Sequence, residues 1–208
     1  MKADRLAWLK FPWIDRSIAM VAVLPFFLPV LLHPYGFDFP LAAMGLQTVV
    51  AFVAMGTRRP PQRIATDFSY WALAFVATYW VFLSGPIWRP GSPILPTSFI
   101  NGLSISSLAL GLWARLSLGR NCGIVPAQRQ LVTEGAYKYL RHPIYSAIFL
   151  SMIGYVLQHW SWRNLILTAV GVFLFVIKSL AEERLLCQDP VYLDYTQRVR
   201  WRWIPSII

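Results

Sequence analysis

Apolar residues in this chain fall in long runs separated by short polar stretches. A membrane-spanning helix needs roughly 17–25 predominantly apolar residues, and six runs meet that length: about 17–35, 39–56, 68–88, 97–118, 143–160 and 163–181. The first contains Pro25 and Pro29, which membrane helices tolerate where neighbours cover the freed carbonyls. The third is rich in aromatics, from Phe68 and Tyr70 to Phe82, whose ends suit interfacial belts. The fourth is the most polar, with Asn101, Gly102, Ser104, Ser106, Ser107 and Gly111, a composition that favours packing on other helices over lipid. The pattern predicts an all-α, polytopic integral membrane protein of about six transmembrane helices.

Charge supports that reading and orients it. Only 13% of residues are charged and 57% are hydrophobic, against about a quarter charged in an ordinary soluble domain. The net charge of +10 would point to nucleic acid in a soluble protein; here the charges sit between apolar runs, and membrane topology accounts for them. With six spans and both termini cytoplasmic, 17 of the 19 basic residues fall on the cytoplasmic side and only Arg89 and Arg163 on the other, as the bias of Lys and Arg towards cytoplasmic loops requires. Lys2, Arg5 and Lys10 precede an apolar run as in a signal peptide. No small-residue cleavage site closes the run, so it reads as a retained first helix.

Several chemistries are disfavoured. Cys122 and Cys187 form no C-x-x-C, and His33, His142 and His159 are too scattered for a metal-binding spacing, so no metal is expected. Neither a dinucleotide-type glycine motif nor a Walker loop is present, which excludes those routes to a nucleoside cofactor. The candidate chemistry lies in two cytoplasmic segments, 119–142 and 182–208, the second holding four of the nine acidic residues. The chain divides accordingly into N-terminal membrane helices, 1–109, and a catalytic region, 110–208.

Three elements carry the polar chemistry. In Arg129–Tyr145, Gly135 permits a turn, and Pro143 disfavours helix at His142 while suiting the first turn of a new one. Arg141 and His142 therefore sit in irregular backbone at the mouth of the fifth span, with Tyr145 one turn inside, either as headgroup anchors or as a binding site. In Lys178–Glu183, Lys178 and Glu182 share a helix face, and Glu183 lies about 100° further round. The two acids therefore need not share a partner, and each is either solvated or bound to a cation, sulfonium or ribose diol. In the third element, Asp189 is an N-cap with Pro190 at the first helical position, followed by Tyr192, Tyr195 and a basic, tryptophan-rich tail suited to anionic lipid rather than nucleic acid.

Taken together and in order, these elements resemble the isoprenylcysteine carboxyl methyltransferase family, which extends to phospholipid N-methyltransferases. The resemblance covers about 110–205: Leu112-Trp113-Ala114-Arg115, Gly119-Arg120-Asn121, Leu131–Tyr137, Arg141-His142-Pro143-Ile144-Tyr145, a helical hairpin, Glu182–Leu186, Tyr192–Tyr195 and Ile204-Pro205. It implies an S-adenosylmethionine-dependent methyltransferase with a cytoplasmic cofactor pocket closed by the C-terminal segment and a lipophilic acceptor arriving from the bilayer. The implied cofactor contacts are Arg129, Gln130, Leu131, Val132, Tyr137, His142, Pro143, Ile144, Tyr145 and Glu182. Lys178 stands where the isoprenylcysteine enzymes place an arginine against the substrate carboxylate, and Ser146-Ala147 replaces a usual glycine. Methyl transfer needs alignment and water exclusion. Arg141 or Lys178 would steady an anionic acceptor, whereas an amine acceptor would cast Glu183 or His142 as base. The competing expectations are an NADPH-dependent membrane reductase of the sterol-reductase type and a non-catalytic membrane protein.

Overall fold

A computed structural model describes residues 11–31, 39–65, 67–84, 91–125 and 127–206. Helices dominate: α1 (Pro12–Val23), α2 (Leu28–Leu31), α3 (Phe39–Thr57), α4 (Phe68–Ser84), α5 (Thr97–Leu118), α6 (Pro143–Gln158), α7 (Trp162–Leu186) and α8 (Pro190–Arg198). The helical runs follow the apolar runs closely, with two informative differences. The first run is not one regular helix: it starts earlier, with Pro12 at the first helical turn, and passes through a 3-10 segment at Leu24–Phe27, where Pro25 has no N–H for the ladder. The last run extends beyond its apolar part to Leu186, so Lys178, Glu182 and Glu183 all lie on one rigid helix. Two helices, Thr97–Asn121 with its terminal 3-10 turn and Trp162–Leu186, are long and apolar enough to cross a membrane by themselves. The chain is mostly helical, with two candidate membrane spans among the described residues.

Helices α5 and α6 lie along each other, α3 lies against α5, α1 against α3, and α4 against α7. Small and hydroxyl residues line these contacts, as the polarity of the fourth run predicted. Gln47 on α3 donates to Ser107 Oγ on α5 (3.1 Å) and Ser151 Oγ on α6 (3.3 Å), and Ser107 Oγ donates to the Ala147 carbonyl (2.8 Å). Such bonds hold helices together where lipid gives no hydrophobic drive to associate. Gly171 lets α7 approach closely, since a Cβ there would collide with Met152 and Trp80. Trp80 Nε1 donates to the Leu167 carbonyl across α4 and α7 (2.8 Å).

One feature departs from the all-α expectation. Arg63–Ile64 (β1) and Ala127–Gln128 (β2) form a two-residue antiparallel ladder. It ties the connection after α3 to the long segment before α6, so that segment is fastened at its middle. The division at 109/110 falls inside α5, which is unbroken from Thr97 to Leu118.

The ends of the helices sort by charge. The head of α1, the end of α3, the segment after α5 and the end of α7 meet at one end of the bundle through Asp15, Arg58, Arg129 and Glu183 with its partners. The opposite end holds the Ser92–Trp160 bridge, which joins the approach to α5 to the α6–α7 turn. We expect the basic end to be cytoplasmic. A cysteine at position 59, exposed beside the buried Arg58, should be labelled by an impermeant reagent only after permeabilisation, and one at position 89 in intact cells. The reverse pattern would overturn this topology.

Candidate functional site

The site is built where α6 begins and α7 ends. α5 stops at Gly119, whose φ of 55° suits glycine. The chain returns through Gly135, at φ 62°, into a 3-10 turn over Gly135–Lys138. A Cβ on Gly135 would strike Ser117 Oγ, which accepts the Ala136 N–H at 3.1 Å. This docks the turn on the end of α5 and fixes Tyr137. His142 then takes a non-helical conformation (φ −128°, ψ 56°) ahead of Pro143, so its side chain and that of Arg141 turn towards α7.

Glu183 is the centre of the assembly. Its side chain is 7% exposed and receives two guanidinium groups and an imidazole. Arg141 Nη1 is 3.0 Å and His142 Nε2 3.2 Å from Oε1, and Arg202 Nε is 2.8 Å from Oε2. The C-terminal tail is thereby strapped over the mouth of α6. The Arg141 and His142 N–H groups donate to the Trp201 and Arg202 carbonyls at 2.9 Å each, and Arg141 Nη2 reaches the Arg200 carbonyl at 3.2 Å. Ser146 Oγ donates to the Trp203 carbonyl, and Trp203 Nε1 donates to Ser179 Oγ at 3.2 Å.

Glu182 faces a different group, as the 100° step along the helix requires. Tyr145 donates its hydroxyl to Glu182 Oε1 at 2.7 Å. The Tyr145 ring stacks on His142 (centroids 5.5 Å, planes 21° apart) and leans on Phe175. Lys178 is buried, over the Tyr145 and Phe175 rings at 5.7 and 5.6 Å, and donates to Thr78 Oγ1 on α4 at 2.9 Å. Burial raises the Tyr137 phenol well above its ordinary range, first among the causes, with Tyr195 and Glu182 adding to it and the Arg115 guanidinium opposing. Tyr137 therefore lies within electrostatic reach of both a cation and an anion. Its carbonyl accepts the Tyr195 hydroxyl at 2.7 Å, which anchors α8 to the same turn. Two guanidinium nitrogens here, Arg115 Nη1 and Arg141 Nε, are buried without a hydrogen-bond partner.

Around Arg129 the structure forms a second ionic group. Arg129 Nε donates to the Arg59 carbonyl at 2.9 Å, and Nη2 lies 4.0 Å from Asp15 Oδ1. Asp15, 1% exposed, takes Arg58 in a two-pronged pair, with Nε to Oδ2 at 2.7 Å. Burial first, and the Arg58 charge second, pull Arg129 down to about 10, with Asp15 opposing. Arg16, Arg120 and Arg129 donate to the Arg58, Thr57 and Arg59 carbonyls, covering the acceptors left at the end of α3. Gln130 is exposed, Leu131 packs on the Tyr192–Tyr195–Val199 cluster, Val132 and Ile144 are half-buried, and Pro143 is fully buried.

The structure thus gathers Tyr137, His142, Tyr145, Lys178, Glu182, Glu183 and Arg141 at one place and sets Arg129 in a neighbouring cluster with the N-terminal helices. The sequence reading missed Asp15, Arg58, Arg115 and the Glu183 partner Arg202. Asp15 carried a usable signal, an isolated acid at the head of an apolar run; Arg202 lay hidden among tail arginines read as lipid contacts.

Removing one member of a buried ion pair costs about 3–5 kcal/mol because the other charge stays buried, whereas an exposed pair contributes about 0–1 kcal/mol. Glu183→Gln and Asp15→Asn should each lower the unfolding midpoint in detergent by several degrees. Asp194→Asn, whose partner Arg198 shares its exposure (side chains 64% and 62% exposed), should leave it nearly unchanged; equal midpoints for all three would refute this ranking.

Residues 100–189 match the model of the phospholipid methyltransferase family. No curated protein matches the chain. The matched stretch holds Arg115, Arg141 and Glu183 but excludes Asp15, Arg58 and the Arg202 strap.

Proposed function

We propose, from the match of residues 100–189 to the phospholipid methyltransferase family model, that the chain transfers a methyl group from S-adenosylmethionine to a lipophilic acceptor at the cytoplasmic membrane interface. The observation that carries this reading is the presence of unlike groups near Tyr137 and Tyr145: Glu182, which accepts the Tyr145 hydroxyl, and buried guanidinium nitrogens of Arg115 and Arg141 without partners. That donor set fits the cofactor. Its ribose diol and ammonium need an anion, its carboxylate needs a donor, and its sulfonium favours aromatic faces. The cofactor supplies an electrophilic methyl group on a positively charged sulfur.

The chain's own residues do the rest by position. Glu182 and Tyr145 hold the polar part, and Leu131 and Val132 line the approach. His142, Pro143 and Ile144 fix the start of α6. Glu183 keeps Arg141, His142 and the tail in register, and with both oxygens engaged we assign it positioning rather than proton abstraction. Arg141 keeps a free Nε beside this hub and is our candidate for steadying an acceptor headgroup. Lys178, already bonded to Thr78, supports the Tyr145 ring and supplies positive charge near the acceptor. The strap excludes water from the aqueous side, where hydration would slow the nucleophile.

The acceptor reaches the site from the bilayer. Between α6 and α7 lies a recess of about 540 Å³ lined by Ile153, Val156, Val172, Phe173 and Val176. The recess runs along α7 from Leu165 to Val176, and an acceptor's alkyl chain would lie there with its head towards the Val176 end, the nearer to Lys178 along the helix. A purified sample should be protected against thermal unfolding by S-adenosylhomocysteine and not by NADPH; the opposite result would return the chain to the reductase reading. Glu182→Gln should weaken that protection by roughly tenfold to hundredfold in affinity, the loss of a charge-assisted bond of about 1.5–3 kcal/mol. Against a series of acceptors, each added methylene should lower the apparent KM about fourfold until the recess is filled, from about 0.8 kcal/mol per buried CH₂. A water-soluble acceptor used as well as its long-chain analogue would refute access from the bilayer and leave methyl transfer standing.

A further inference from the structure

Arg115 enters the arrangement above only as one of two unmet donors, and its surroundings assign it a specific partner. It lies in the last turn of α5, between Ala114, which is fully buried, and Leu116, which is exposed. An arginine at such a depth ordinarily extends its head to water or to lipid phosphates. In Arg115, which is half-buried, the Nη1 nitrogen is sealed inside the protein and has no hydrogen-bond partner. Among the described residues the ion pairs are made by Asp15, Glu183 and Asp194, and none involves Arg115. A buried, charged donor left unmet is among the costlier features a fold can hold, and an ionisable group facing the interior of a membrane protein is by default a ligand contact.

Two neighbouring features limit what the ligand is. Tyr137 lies within electrostatic reach of both the Arg115 guanidinium and the Glu182 carboxylate. A ligand bound near Tyr137 therefore has both a cation and an anion within electrostatic reach. Asn121, just beyond α5, adds a buried amide oxygen without a partner, an acceptor suited to an ammonium. We propose that Arg115 binds the carboxylate of the methyl donor's amino-acid moiety. This rests on the methyltransferase reading above and adds to it the anchor for the donor's anionic end. A phosphate of the acceptor's headgroup is the same chemistry from another source, and the two are separable.

The test is binding, measured calorimetrically on the full-length protein in detergent, with S-adenosylhomocysteine and with 5′-methylthioadenosine, which lacks the amino-acid moiety. The native protein should prefer S-adenosylhomocysteine by at least about tenfold, from one charge-assisted bond. Arg115→Gln should weaken S-adenosylhomocysteine roughly tenfold to hundredfold and leave 5′-methylthioadenosine unchanged, so the preference collapses. Arg115→Lys, which keeps the charge and loses the fork, should fall between the two and serves if the glutamine variant does not fold. Equal weakening of both ligands would make Arg115 structural and overturn the proposal. An unchanged S-adenosylhomocysteine affinity with a raised KM for the lipid acceptor would also overturn it and give the residue to the headgroup. If the native protein binds neither nucleoside, the methyltransferase reading itself fails.

Discussion

The carboxylate of Glu183 holds the functional end of this protein together. Three side chains from two chain segments converge on it: Arg141 and His142 from the mouth of α6, and Arg202 from the tail. A carboxylate that close to a membrane is costly unless compensated, and the compensation is what brings those segments together. The backbone bonds between Arg141–His142 and Trp201–Arg202 add the directionality that charge alone lacks. The aromatic stack of His142 on Tyr145 follows from the same fixation, because the His142 ring must point at Glu183 while Pro143 starts the helix beneath it.

Asp15 plays the corresponding part for the N-terminal helices. Its pair with Arg58 and its proximity to Arg129 join α1, the end of α3 and the long segment after α5. The surrounding arginines outnumber it, and most of them discharge their donors on the exposed carbonyls at the end of α3. Part of the chain's large positive excess is therefore used on backbone acceptors, and this use does not show in a charge count. Helices lying wholly outside the family match thus brace the loop that the family resemblance ties to the cofactor.

Much of the fold was legible because one constraint dominates it: apolar runs of membrane length form helices, and α3, α5 and α6 begin within a residue of where the runs begin. Caps were legible for the same local reason, with Asp189 Oδ1 accepting the Val191 N–H and Pro190 opening α8. The split in partners between Glu182 and Glu183 followed from helix geometry alone. What stayed hidden was long-range. No local pattern says that Arg202 rather than Arg198 or Arg200 reaches Glu183, that Asp15 meets Arg58 across 43 positions, or that Arg63–Ile64 pairs with Ala127–Gln128. Each depends on which helix ends share one end of the bundle, and a hydropathy pattern gives the helices without their neighbours.

The adjacency of Glu182 and Glu183 has a mechanical consequence. On a rigid helix, two successive acids point about 100° apart, so a single element addresses two compartments. Glu183 takes the tail and the start of α6, while Glu182 takes Tyr145 and the space around Tyr137. Movement of the strap that loosened Arg202 would act on Glu183, and through α7 and the His142–Tyr145 stack it would reach the hydrogen bond at Glu182. Closure against water and the geometry of the donor pocket are in this way joined by one turn of helix. That coupling comes from placing both acids on the last turns of one long apolar helix. A surface loop would hold the same residues without holding them in register.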